Sequence, residues 1–247
     1  MVSTFHDLFV LSGEYSTQEF RERFAEQARE AAERSDLIIA VSEFTKSQVV
    51  SYLGYPAERV RVIPHGVVLP PMVRRVEDRE KIVLSVGAVQ KRKNTRRLIE
   101  AFEVLGPEWQ LWIAGSAGFE AEAMLRDLPS NVKVLGYVND AELEALYQRA
   151  AVLAFPSLDE GFGIPVLEAM ANGVAVLTSN VSALPEVAGD AGLLVNPLSV
   201  EEIGAGLKRL SRVDERSAFV ERGLERAKGF GWEKSVAMTA GVYAELW

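Results

Sequence analysis

Apolar residues gather in short runs rich in branched side chains, at residues 37–41, 60–63, 82–86, 109–114, 132–135, 151–155, 174–177 and 192–195. Runs apolar on both faces predict parallel strands buried between two layers of helix. The segments between them repeat at helical spacing, with Leu98, Ile99, Phe102 and Leu105 in one and Leu143, Leu146 and Tyr147 in another. This alternation predicts an α/β fold with a doubly wound parallel sheet. Near the start, Ser16 and Glu19 have capping-box spacing and precede Phe20, Phe24, Ala28 and Ala31, so a helix is expected with Ser16 as its cap.

The pattern is uneven along the chain. Residues 64–80 carry Pro70-Pro71 and a mixed charge run without periodicity, which reads as a connection. Six of the strands fall between residues 82 and 195, enough for a complete sheet, whereas residues 1–65 supply about two, at 36–41 and 60–63. The expected organisation is a partial first domain over 1–65, a linker over 66–80, a complete Rossmann-like domain over 81–230 and a closing helix over 231–247. A partial parallel sheet leaves an open apolar edge and an uncovered helix face bearing Phe20 and Phe24. Association with a second copy or with a complementing chain is therefore expected.

Composition narrows the chemistry. The 27 basic and 35 acidic residues give a net charge of -8, the wrong sign for a nucleic-acid partner. With no cysteine, and His6 and His65 the only imidazoles, neither a disulfide framework nor a metal site is expected, and no cofactor is implied. No apolar run reaches membrane-spanning length, and residues 1–6 lack the basic start and apolar stretch of a signal peptide, so a cytoplasmic location is expected.

The most informative stretch runs from Ser157 to Gly173, with the run Asp159-Glu160-Gly161-Phe162-Gly163-Ile164-Pro165 and then Glu168. It follows a strand, and Pro165 suits the first turn of a helix. The helix start presents free N–H groups and partial positive charge to an anion such as a diphosphate, while Gly161 and Gly163 allow close backbone approach. Strand ends in an open α/β sheet are where ligands bind. Glu168 is expected in the first turn and Glu160 in the preceding loop, both facing one crevice, where carboxylates accept paired hydrogen bonds from sugar hydroxyls. Taken alone, the two glutamates read more simply as a helix-dipole partner, Glu168, and a solvated loop acid, Glu160. The register with glycines, proline and helix favours the sugar-binding reading. Arg92 and Lys93 in Lys91-Arg92-Lys93-Asn94 follow another strand and suit a diphosphate, since positive charge at a helix start is unfavourable without an anion.

Glu160 and Glu168 in this setting resemble the paired-glutamate signature of glycosyltransferase family 4, retaining enzymes of the two-domain GT-B fold. The resemblance extends along nearly the whole chain. Ser85-Val86-Gly87 with the basic motif is similar to the family's diphosphate-binding segment, which carries that role to Arg92 and Lys93, with Gly163 and Ile164 at the helix start. Glu160, Gly161, Phe162, Gly163 and Glu168 take the family's donor-sugar and ribose positions. Gly136-Tyr137-Val138 is similar to the loop holding the base, which points to Tyr137 and Val138. Phe5-His6-Asp7-Leu8 resembles the motif whose histidine approaches the donor sugar, so His6 joins Glu160 as a catalytic candidate. His65 falls where the family passes between domains and reads as a turn residue. Leu184 to Val187 matches the family and is expected to pack the sheet.

The resemblance implies transfer of a hexose, mannose or glucose, from a GDP- or UDP-sugar to a glycan or lipid-linked acceptor, with a lipid-linked acceptor drawing the chain to the inner membrane surface. The Arg-Lys-Asn form of the basic motif leans towards mannose. The alternative is a nucleotide-sugar-binding module or split-enzyme subunit without turnover of its own, because the family's histidine motif follows several strands and a glycine-rich loop and here begins at His6. An NAD enzyme is disfavoured, as no Gly-x-Gly-x-x-Gly opens a helix after a strand.

Overall fold

The computed structural model describes residues 1–13, 15–118 and 120–247. Strands β1 (Val2–Phe5), β2 (Leu37–Ala40) and β3 (Val60–Val62) form a three-stranded parallel sheet in that order. β1 is one strand more than the hydrophobic pattern predicts. Its sequence, Val-Ser-Thr-Phe, mixes polar and apolar residues, and it is held by pairing with β2 from Val2 opposite Leu37 to Phe5 opposite Ala40. Helices α1 (Phe9–Ser12), α2 (Gln18–Glu33) and α3 (Glu43–Leu53) belong to this part of the chain.

The cap of α2 is Thr17 and not Ser16. Thr17 has extended backbone, and its hydroxyl accepts from the Phe20 N–H at 3.3 Å, three residues on, so the spacing read from Ser16 to Glu19 is displaced by one. α2 buries Ala28 and Ala32 and packs Phe24 against the core, while Phe20 stays 42% exposed.

Strands β4 (Glu80–Val86), β5 (Gln110–Ala114), β6 (Val132–Gly136), β7 (Ala150–Phe155), β8 (Ala175–Ser179) and β9 (Gly192–Val195) form a second, six-stranded parallel sheet. Every residue of β7 and β8 is buried, as runs apolar on both faces require. Helices α4 (Thr95–Phe102), α5 (Ala121–Met124), α6 (Asp140–Arg149), α7 (Ile164–Ala171), α8 (Leu184–Ala188), α9 (Val200–Leu210) and α10 (Val213–Ala227) lie in this part of the chain, and α11 (Trp232–Ala244) follows. α4 buries Leu98, Ile99 and Phe102, the stripe read from its spacing.

The second sheet has the order β6-β5-β4-β7-β8-β9. From β4 the chain steps outward through β5 and β6, then returns to β7 on the other side and steps outward the opposite way. The order therefore reverses between β4 and β7, and a crevice opens beyond their carboxyl ends.

Arg79 anchors the end of the connection between the sheets. Buried, its guanidinium donates to the carbonyls of Arg74, Tyr147, Ala150 and Asn172, and burial draws its pKa down to about 10. α11 runs back to the first sheet, where Val242 packs with Leu37, Ile39 and Ile63, and Arg61 pairs with Glu245 at 2.5 Å. Among the described residues no helix is long and apolar enough to cross a membrane.

Candidate functional site

The turns after β4 and β7 meet at the point where the strand order reverses. After β4 the chain passes into a 3-10 turn at Lys91–Lys93, ended by Asn94 with φ of 60°. The Asn94 amide donates to the carbonyls of Pro156 at 2.9 Å and Pro197 at 2.6 Å, which ties this turn to the loop after β7. Arg92 and Lys93 are thereby brought onto Glu160. The guanidinium lies 2.8 Å from one carboxylate oxygen and the ammonium 2.6 Å from the other. Arg92 also donates to the Asp159 carbonyl at 2.6 Å and lies over the Phe9 ring, and Lys93 lies over the Phe155 ring.

Arg92 and Glu160 are buried, each 7% exposed, and Lys93 is partly buried with its side chain 14% exposed. Burial works to raise the Glu160 carboxyl, but Lys93 and Arg92 together outweigh it and hold the group below the usual carboxylate range. Burial draws Lys93 down, with Glu160 opposing. Asp7 and Asp159 stand beside the triad with carboxyls raised by burial, and Arg92 opposes both shifts. Ser12 donates to one Asp159 oxygen; the other is buried without a hydrogen-bond partner among the described residues. Glu160 thus neutralises both Arg92 and Lys93 in this structure.

The loop from Pro156 leads through Gly161 and Gly163 to α7. A Cβ at Gly161 would overlap the His6 carbonyl and come within 2.8 Å of the Asp7 Cβ, so only glycine lets this loop pass the histidine motif. Gly163 caps α7 with φ of 107°, a conformation that favours glycine. Because α7 begins at Ile164, Glu168 is its fifth residue and lies beyond the first turn, where it was expected. A role as helix-dipole partner falls away.

Glu168 is instead held by Tyr147, whose hydroxyl donates to it at 2.9 Å. Burial raises the Glu168 carboxyl, and the Tyr147 hydrogen bond opposes the shift. Glu168 lines a cavity of about 390 Å³ with Asp140, Glu144, Tyr147, Ile164 and Trp232. Glu160 is not part of its wall. Glu160 is drawn into the ion triad, and Glu168 lines the cavity between α6, α7 and the linker.

Tyr137 is 80% exposed after β6, and Val138 packs partly buried against the core. The His6 Nδ1 lies 3.3 Å from His65 Nε2, with rings nearly parallel. His65 meets Phe162 and Trp232 edge-on, and burial holds its pKa below the ordinary value. A residue read as a turn histidine thus sits against His6 and the Gly161 loop. Sequence reasoning also passed over Tyr147, Asp7 and Asp159. Asp7 and Asp159 each adjoin a motif residue, a signal that was available, whereas Tyr147 reads only as core. Among the described residues no cluster of three or more His, Cys, Asp or Glu is placed to hold a metal.

The model for the family "Glycosyl transferases group 1" matches residues 73–226, and that for "Glycosyltransferase Family 4" matches residues 1–69. The chain belongs to these glycosyltransferases, with the GT-B fold. It is similar to O-antigen chain mannosyltransferase B of Escherichia coli, 34% identical over 99% of this chain and 70% of the relative. It is also similar to the MMP alpha-(1->4)-mannosyltransferase of Mycolicibacterium hassiacum, 30% identical over 89% of this chain and 56% of the relative. Among solved structures, sucrose-phosphate synthase from Thermosynechococcus elongatus superposes with a TM-score of 0.83 at 25% identity, over 99% of this chain and 67% of that one. Anabaena HepE in complex with UDP and glucose superposes with a TM-score of 0.81 at 20% identity, over 99% of this chain and 70% of that one, a likeness of fold. The chain thus spans between about half and 70% of these relatives' length.

Proposed function

We propose that the chain carries the donor site of a retaining hexosyltransferase using a nucleoside-diphosphate sugar. The carrying observation is the convergence of Arg92, Lys93 and Glu160 at the reversal between β4 and β7. A diphosphate displaces the Glu160 carboxylate from the two cations and meets the start of α7 at Gly163 and Ile164. Freed, Glu160 accepts from donor-sugar hydroxyls beside Gly161 and Phe162, and Glu168, held by Tyr147, accepts from the ribose. As the bond from the anomeric carbon to the diphosphate oxygen breaks, the electron pair goes to the diphosphate, and Arg92 and Lys93 stabilise it there. The acceptor hydroxyl attacks from the same face and its proton passes to the departing diphosphate oxygen, so configuration is retained, with His6 beside the sugar.

The base lies against Tyr137 and Val138. Asp140 and Glu144 share the Glu168 cavity, and acidic walls suit guanine, whose edge offers two adjacent donors to one carboxylate; uracil's single donor is flanked by repelling carbonyls. The donor is accordingly a GDP-hexose, with mannose favoured by the relatives' names, and the acceptor a glycan or lipid-linked glycan. Calorimetric titration with GDP-mannose, GDP-glucose, UDP-glucose and UDP-galactose tests this. Binding of a GDP-sugar that survives chelator is expected; no binding, or binding that needs added magnesium or manganese, overturns the reading.

A further inference from the structure

The loop that carries Glu160 is held from the other sheet's side of the molecule. α3 starts with Ser42 as its cap, the hydroxyl accepting from the Thr45 N–H at 2.9 Å. The same Ser42 hydroxyl donates to the Gly161 carbonyl at 2.6 Å, and the Thr45 hydroxyl donates to that carbonyl at 3.0 Å. Ser42 is 2% and Thr45 0% exposed, so neither hydroxyl has water as an alternative partner. The remaining N–H groups of this first turn, from Glu43 and Phe44, donate to the two carboxylate oxygens of Glu186 at 2.8 and 2.7 Å. Glu186 belongs to α8, beyond β8. The first turn of α3 is thus completed by groups from the second domain, and the Gly161 carbonyl in turn is completed by α3. On its other side Gly161 abuts the His6 carbonyl.

We propose that Ser42 and Thr45 are positioning residues of the donor site: through the Gly161 carbonyl they fix the Glu160–Gly163 loop, so that docking α3 between Glu186 and this loop sets where the Glu160 carboxylate stands. This rests on the donor role of Glu160 proposed above. Neither hydroxyl touches the donor. A hydroxyl pair that merely packed the interface would lower stability without altering how the loop holds a sugar. A pair that positions the loop controls chiefly the sugar's share of donor affinity, because Glu160, Gly161 and Phe162 meet the sugar, whereas of the nucleotide contacts only that of Gly163 lies in the loop and those of Arg92, Lys93, Ile164 and Glu168 lie outside it.

The test compares the full chain with the Ser42→Ala and Thr45→Val double variant and with Thr45→Ser. Amide hydrogen exchange is read at residues 158–163, beside calorimetric titration with GDP-mannose and with GDP. The double variant is expected to exchange at least about tenfold faster over that loop, with the β4 and β5 amides unchanged, from the loss of two buried hydrogen bonds. Its affinity for GDP-mannose is expected to fall about tenfold while affinity for GDP is retained, and Thr45→Ser restores both readouts to near the parent. Loop exchange equal to the parent, or equal losses for GDP and GDP-mannose, overturns the proposal. Should the parent bind neither ligand, the donor reading fails, and the exchange measurement alone still decides whether the two hydroxyls hold the loop.

Discussion

Replacing Glu160 by glutamine removes the carboxylate that, among the described residues, contacts both Arg92 and Lys93, while keeping its shape. Arg92 and Lys93 approach it at 2.8 and 2.6 Å with side chains 9% and 14% exposed, so water cannot replace the lost charge. Breaking a buried pair by removing one partner costs about 3–5 kcal/mol. For a chain of this size that is a fall in melting temperature of roughly 6–20 °C. The sign of the pH dependence follows from the depressed Glu160 carboxyl. Its stabilisation is fully present above the ordinary value of 4.5 and is lost as pH falls through the lower folded value. The gap between the parent and Glu160→Gln is therefore wide at pH 7 and narrows below about pH 4. A second consequence is specific to the site. In the variant the two cations lose the Glu160 carboxylate, so saturating GDP raises its melting temperature by more than it raises the parent's. Differential scanning calorimetry at both pH values, with and without GDP, reads all three effects. A gap below about 1 kcal/mol, a gap independent of pH, or equal stabilisation by GDP refutes the account of the triad.

Three further outcomes follow from the geometry. Tyr147→Phe removes the hydrogen bond that opposes the rise of the Glu168 carboxyl; donor affinity is expected to fall by about 1.5–3 kcal/mol and the acidic limb of binding to move to higher pH, and an unchanged limb in a titration series contradicts this. Gly161→Ala drives a Cβ into the His6 carbonyl and the Asp7 side chain; a melt is expected to show a loss of about 1–3 kcal/mol together with loss of donor binding, and a neutral substitution shows that the loop packs elsewhere. Burial lowers the His65 pKa, so this group's contribution is present above its ordinary value and lost as pH falls through the lower folded one; melts between pH 7 and 5 should show the parent losing more stability than His65→Asn, and parallel curves would show that His65 is not held neutral.

The second sheet was legible in the chain because its strands are covered on both faces and therefore read as unbroken apolar runs, as in β7 and β8. β1 was not, because an edge strand of four residues with Ser3 and Thr4 leaves no such run, and only pairing with β2 defines it. Arg92, Lys93 and Glu160 were each legible as candidates from glycines, charges and a helix start. Their mutual contact was not, since it depends on the strand order and on Asn94 tying two turns that lie far apart in sequence. Tyr147 and the Ser42–Thr45 pair escaped for a related reason. A buried tyrosine in an apolar stripe and a serine at a helix start have sufficient local explanations, and their second partners, Glu168 and the Gly161 carbonyl, appear only once the fold is assembled.

In the proposed function, the cations after β4 and the loop after β7 form the diphosphate site of a sugar donor. A crystal structure of the chain with a nucleoside-diphosphate sugar tests it most directly. The account predicts both phosphates within hydrogen-bond distance of Arg92, Lys93 and the start of α7, the Glu160 carboxylate moved from the cations to the sugar, and Glu168 on the ribose with no metal between. Phosphates bound away from Arg92 and Lys93, or a Glu160 that keeps both ion pairs while the donor occupies another cavity, would contradict it.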